Sequence, residues 1–287
     1  ETIRYWREFS RNLALPFEWQ DPIIRSAITL KLSTFDETGA VVAAMTTSIP
    51  ESPHSRRNWD YRYCWMRDSL FVINALNRLS TTKSMEDYLR YIMNAALMAE
   101  GQDLQPLYGI SLQDRIEEYE AKQLHGYRGQ GPVRIGNQAY LQKQNDVWGC
   151  VILGLTQAFF DKRLTRPGTH DDFYRLEVFG ESAVRNWDKP DAGIWEFRTI
   201  GRVHTFSAVM CWVACDRLAK IAEQLKLLER TVYWREQADK MYEGIMARAW
   251  NEEKQTFVEP FDGEHLDASL LLLHEVGFVD AKDPKFI

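Results

Sequence analysis

The sequence predicts an all-α fold with short β segments in its loops, and three observations carry that expectation. Apolar residues recur at helical spacing in segment after segment from about residue 66 to 250. Some segments (67–79, 146–160 and 208–215) are apolar nearly all round, the mark of helices buried on every side, whereas others carry a single apolar stripe. Extended signals are few and brief. Alternation of the two helix types predicts two concentric layers, an inner ring of helices wrapped by an outer one.

In chain order, residues 2–13 and 21–34 read as helices, with Pro16 as the breaker between them. TGAVVAAM (38–45) follows a turn signal and reads as extended. A loop rich in Ser, Pro and Arg then leads into a helix near Met66. About seven helices follow, including 85–98, 173–187 and 228–250. In the last of these Trp234, Ala238, Met241, Ile245 and Ala249 form the apolar stripe, with Arg235, Glu236, Asp239, Lys240 and Glu243 opposite. Strand signals fall at 107–112, 132–135 and 256–258. The connection 102–136 has little helical periodicity yet carries Tyr108, Arg115, His125, Tyr127 and Arg128; long loops of this kind within compact domains are usually functional.

Composition removes several classes of function. The 35 basic and 41 acidic residues of this 287-residue chain give a net charge of −6 with no basic stripe, so neither nucleic acid nor an anionic membrane is an expected partner. No apolar run reaches the length of a membrane span, and ETIRYWREF is not a signal peptide, so a cytoplasmic location is expected. Of the four cysteines, Cys64, Cys150, Cys211 and Cys215, the last two lie one helical turn apart in an apolar run and fit small buried hydrophobes better than a disulfide framework. The six histidines have no metal-ligand spacing, and GYRGQGPVRIG (126–136) lacks the strand and GK[ST] ending of a phosphate loop. No metal and no cofactor are expected. Ten tryptophans offer aromatic platforms for flat ligands such as sugar rings.

Two stretches concentrate chemistry. PDAGIWEFR (190–198) puts Glu196 directly after Trp195 on a segment shaped by Pro190 and Gly193. A carboxyl beside an indole is partly desolvated, which favours its protonated form and suits a general acid. Asn58–Asp68 places aromatics at 59, 61, 63 and 65 before Arg67 and Asp68. The Arg fork and the carboxylate match the donor and acceptor pattern of adjacent sugar hydroxyls, although an Asp near the start of a helix also serves as a cap. The polar run Asn137, Gln138, Gln142, Gln144, Asn145 and Asp146 reads chiefly as capping and interhelical hydrogen bonding.

TTSIPE, RNWDYRYCWMRD, the segment 136–146, PDAGIWEFR and SAVMCWVACDRLAKIAE occur in an order that resembles glycoside hydrolase family 15, its bacterial branch in particular. This is the family of glucoamylases, glucodextranases and certain prokaryotic trehalases. The resemblance implies an (α/α)6 toroid, here incomplete, with residues 1–50 as connecting helices and an extended lead-in, and 51–287 as the N-terminal part of the catalytic domain. It implies inverting, exo-acting hydrolysis of terminal α-glucosidic bonds, glucoamylase-like first, with α,α-trehalose hydrolysis as the alternative and a non-catalytic sugar-binding role as a third reading. The ligand is then an α-glucoside oligosaccharide or trehalose. By the same resemblance Glu196 is the general acid with Trp195 beside it, Arg67 and Asp68 hold the outermost glucose, Tyr61 and Trp65 line that subsite, and the Ile194 carbonyl faces the sugar. These groups are expected to converge on one glucose. The family's general base lies near the C-terminal end of its catalytic domain, so it is expected outside this chain; Glu259, Glu264, Asp267 and Glu275 sit in no segment resembling the base motif.

Overall fold

The structure is a computed structural model and describes residues 1–99 and 104–287. Positions 102 and 103 of the long connection lie outside the described residues. The chain divides into two compact units, Glu1–Leu141 and Gln142–Ile287.

The first unit opens with α1 (Thr2–Arg11) and α2 (Gln20–Leu32). The 38–45 segment is extended and held by isolated bridges, Thr34 to Val41 and, just beyond it, Thr47 to Asp60. The two-residue strand β1 (Cys64–Trp65) then runs straight into α3 (Met66–Arg78), which packs against α4 (Thr82–Met98). β2 (Leu107–Tyr108) pairs antiparallel with β1, placing Leu107 opposite Trp65. β3 (Tyr119–Glu120) pairs with β4 (Arg134–Ile135). The long connection is therefore stitched at both ends rather than loose. One expectation fails in this unit: α3 is not buried all round. Its buried positions, Met66, Arg67, Ser69, Leu70, Ile73 and Leu76, lie on one side, and Phe71 is 42% exposed. Its packing partners α2, α4 and β1 cover one face only, so an apolar sequence is left partly at the surface.

The second unit is built on α7 (Thr205–Gln224), buried almost throughout and packed against α5 (Asp146–Phe160), α6 (His170–Asn186) and α8 (Leu228–Ala249). This is the inner and outer arrangement that the periodicity predicts. α8 buries Trp234, Ala238, Met241, Ile245 and Ala249, the same five residues read from its stripe. α5 lies very close to α7: a Cβ at Gly149 would sit 2.1 Å from the Met210 carbonyl oxygen, so only glycine permits the approach. α6 begins with a capping box in which the Thr169 hydroxyl accepts from the Asp172 N–H while the Asp172 carboxylate accepts from the Thr169 N–H. The hairpin β5 (Trp250–Asn251) and β6 (Thr256–Phe257), a 3-10 turn at Ala268–Leu271 and the one-turn α9 (Leu272–Glu275) complete the unit. Cys64, Cys150, Cys211 and Cys215 are buried free thiols, as the sequence implies for Cys211 and Cys215.

Candidate active site

In the first unit the functional residues are presented by the loop entering β1. Asp60, fully buried, receives both Arg62 Nε and an Arg62 terminal nitrogen at 2.8 Å, and the Gly136 N–H at 3.1 Å. The paired carboxylate raises the Arg62 pKa above its already high ordinary value. Asn58 donates to the carbonyls of Gln130 and Pro132 at 2.8 and 3.0 Å, and Arg134 donates to those of Arg56 and Asn58 at 3.1 and 3.0 Å. Segments 56–62 and 130–137 are thereby locked together.

On that frame Tyr61 and Trp65 come together, ring centroids 5.9 Å apart at 50°. Trp65 is sealed among Leu107, Ile116 and Ala139 at 2% exposure, so the accessible ring of the pair is Tyr61. Arg67 and Asp68 are the second and third residues of α3. A carboxylate in the first turn is favoured by the helix dipole, and Arg67 is held almost wholly buried, which fixes its direction.

In the second unit Glu196 sits on the loop between α6 and α7. Asp191 and Arg202 pinch that loop by reciprocal backbone hydrogen bonds of 2.9 and 3.2 Å. Inside the pinch the Glu196 N–H donates to the Gly193 carbonyl at 3.1 Å, and Phe197 N–H to Ala192 at 3.0 Å. The turn places both Gly193 (φ 66°) and Glu196 (φ 57°) in the left-handed region, a strained conformation for a glutamate. Glycine is required at 193 for a second reason, since a Cβ there would meet the His204 ring at 2.7 Å. Gln144 Nε2 donates to the Glu196 carboxylate at 3.2 Å and to Gln142 Oε1 at 3.0 Å, while Gln142 Nε2 donates to the Glu196 carbonyl at 3.2 Å. The side chain is thus aimed by two glutamines immediately ahead of α5. Trp195 is 52% exposed, and its indole N–H donates to Asp267 at 2.7 Å; half-buried Ile194 precedes it in the turn.

Beneath the loop lies a set of buried titratable groups. Asp191 accepts from the Asn145 N–H at 2.7 Å and the Ser207 hydroxyl at 2.8 Å, and burial pushes its pKa up to about 6. His204 Nδ1 is 2.6 Å from Glu259 Oε1. Burial disfavours the imidazolium, but the hydrogen bond and charge of Glu259 outweigh it, so His204 titrates above the ordinary histidine value. A cavity of about 190 Å³ adjoins this group, lined by Trp195, Phe197, Arg202, His204, Glu259 and Asp267 among others.

Glu196, Trp195 and Ile194 therefore belong to the second unit, and Tyr61, Trp65, Arg67 and Asp68 to the first. Reading the polar run 137–146 as interhelical hydrogen bonding holds for Asn145, whose amide donates to the carbonyls of Asn186 and Lys189 at 3.0 and 3.1 Å while making no capping bond to α5. It fails for Gln142 and Gln144, which bind the Glu196 turn instead. Asp191 and His204 were not read as site residues, although Asp191 lies within PDAGIWEFR and His204 six residues after it; Glu259 was weighed only as a base and set aside. Among the described residues no group of three or more His, Cys, Asp or Glu is arranged to hold a metal, and no helix is long and apolar enough to cross a membrane.

The family model described as glycosyl hydrolases family 15 matches residues 20–287. A trehalase of Mycobacterium tuberculosis is 37% identical over 289 residues, covering 99% of this chain and 42% of that protein. A trehalase of Thermoplasma acidophilum is 32% identical over 290 residues, covering 100% of this chain and 48% of the relative. The chain thus spans less than half the length of these curated relatives. Among solved structures, a bacterial glucoamylase complexed with acarbose superposes with a TM-score of 0.70 at 18% identity, over 99% of this chain and 41% of that one. The superposition carries the (α/α)6 fold, and the match over nearly the whole sequence places the chain in glycosyl hydrolase family 15.

Proposed function

We propose that this chain carries the general acid of an inverting hydrolase of α,α-trehalose. The observation that supports this substrate is the relationship to trehalases over 99–100% of the chain. The order expected from the sequence, glucoamylase first and trehalase second, is thereby reversed. The glucoamylase likeness lies at 18% identity and bears on the fold alone. Family membership likewise favours a hydrolase over a non-catalytic sugar binder.

In this reading Glu196 delivers a proton to the glycosidic oxygen as the bond to the departing glucose breaks. The amide of Gln144 holds one carboxyl oxygen at 3.2 Å, which sets the carboxyl plane before substrate arrives. Arg67 and Asp68 offer a donor fork and an acceptor carboxylate to sugar hydroxyls, and Tyr61, backed by Trp65, offers a sugar ring an apolar face. Trp195, fixed by Asp267, packs beside the acid. Inversion requires a second carboxylate across the sugar, about 6.5–9.5 Å from the first, to activate water. Glu259 and Asp267 are engaged with His204 and Trp195 respectively and are not assigned that role.

The test is a side-by-side assay of trehalose, maltose and isomaltose with the full-length gene product. Trehalose is expected to give the highest kcat/KM, with equal amounts of α- and β-glucose first formed by NMR, because the attacked ring inverts and the departing ring keeps its α configuration. Glu196→Gln is expected to lower kcat at least 100-fold, within the range of roughly 10²–10⁴ for loss of a general acid, while sugar binding by calorimetry persists. A preference for maltose would remove the trehalose assignment, and an unchanged kcat in the variant would remove Glu196 from the mechanism.

A further inference from the structure

The His204 imidazole is wedged between the two arms of the turn that bears Glu196. On one side it fills the space where a side chain at Gly193 would be, with ring atoms 2.7 Å from that Cβ position. On the other the Phe197 ring stacks over it, centroids 6.0 Å apart at 20°. Gly193 and Phe197 are also the ends of the backbone that closes around Glu196, through the Glu196 to Gly193 and Phe197 to Ala192 hydrogen bonds. Any rotation of the imidazole must therefore move one arm or the other. The ring is prevented from rotating by Glu259, whose Oε1 is 2.6 Å from Nδ1 and whose Oε2 accepts the Phe206 N–H at 3.3 Å in the first turn of α7. Glu259 is itself anchored by its backbone N–H to the His265 carbonyl at 2.9 Å.

We propose that the buried His204–Glu259 pair sets the backbone of the 190–202 loop, and through it the aim of the Glu196 carboxyl, so that both are positioning residues for proton transfer. The inference rests on the reading of Glu196 as the general acid and deepens it. The charged groups that bear on His204 are Glu259 and Asp191, which favour its imidazolium, and Arg202, which opposes it; Asp146 bears in turn on Asp191. With the imidazolium formed, the pair is an ion pair shielded from water. As pH rises and His204 loses its proton, the pair weakens to a neutral hydrogen bond and the wedge loosens.

The experiment measures kcat, KM and their pH profiles on trehalose for the full-length enzyme and for Glu259→Gln, His204→Asn and Phe197→Leu, with Glu196→Gln alongside. Glu259→Gln and His204→Asn are expected to lower kcat about 10- to 100-fold, change KM by less than about threefold, and move the alkaline limb of the kcat profile. Such a split is what misaiming of a reacting group produces. Phe197→Leu removes the stack over His204 from a 42% exposed ring and leaves both members of the buried pair in place, so the variant is expected to fold; a several-fold drop in kcat at constant KM is expected. Folding is checked by thermal unfolding. If the two buried-pair variants melt below the assay temperature, Phe197→Leu decides, and an unchanged kcat there overturns the proposal. If Glu196→Gln abolishes turnover while folded Glu259→Gln keeps wild-type kcat and pH profile, the positioning role falls and the acid assignment stands. If Glu196→Gln keeps full activity, it is the acid assignment that fails.

Discussion

Glu196 occupies a backbone conformation that costs a glutamate about 1 kcal/mol or more, and the surrounding contacts hold it there: the Asp191–Arg202 pinch, the glutamine pair and the His204 wedge. Asp191 supplies a stability signature of its own. Its pKa in the folded protein, about 6, lies above the ordinary 3.8, so the native state retains a proton that the unfolded chain gives up. Its contribution is therefore complete below about pH 4 and is lost as pH rises through 6, with an upper bound of about 3 kcal/mol at roughly 1.4 kcal/mol per pH unit. Asp191→Asn keeps an oxygen to accept from Asn145 and Ser207 but cannot titrate. Thermal unfolding from pH 4 to 7 is expected to show the wild type losing stability relative to the variant as pH rises. A constant difference across that range would mean that Asp191 is charged in the native protein throughout. None of this was legible from residue types. Gln144 and Glu196 are 52 positions apart and His204 and Glu259 are 55 apart, and nothing local marks such pairs.

Helices were the legible elements, because each needs only its own periodicity. The α8 stripe was read residue for residue, and α5 was expected and is found at 146–160. Strands were half legible: β2, β4 and β6 lie inside expected segments, whereas their partners β1, β3 and β5 do not, and all six are two-residue pieces too short for an alternation to mark. α3 shows the limit of an apolar composition as a guide to depth, since Phe71 stays exposed where no helix covers it. The α5–α7 contact is the element-scale feature most open to test. Gly149→Ala forces a methyl group to within 2.1 Å of the Met210 carbonyl oxygen, backbone that cannot turn aside as a side chain could. Loss of about 1–3 kcal/mol in denaturant unfolding is expected, as for overpacked cores. A neutral result would show that the two helices separate easily.

At the scale of the molecule, the (α/α)6 class and the family were both legible, because several motifs in order are far more specific than any one. The choice between trehalose and a glucan was not, since it depends on contacts to a second sugar that residue types do not encode. The second unit also joins its chemistry directly to its most buried helix. His204 is the residue immediately before α7, and the Ser207 hydroxyl in the first turn of α7 binds Asp191 at one end of the pinch. A surface loop ordinarily trades its amide protons with solvent within moments, yet here the N–H groups of Asp191 and Arg202 are bonded to each other's carbonyls and anchored to that core. In deuterated buffer these two amides are expected to be as slow as those in the middle of α7, and rapid labelling would mean that the loop breathes independently. A stretch that looks peripheral would then be lost only when the whole unit melts, so heat would disorder the Glu196 turn by unfolding the unit and not by loosening the loop first.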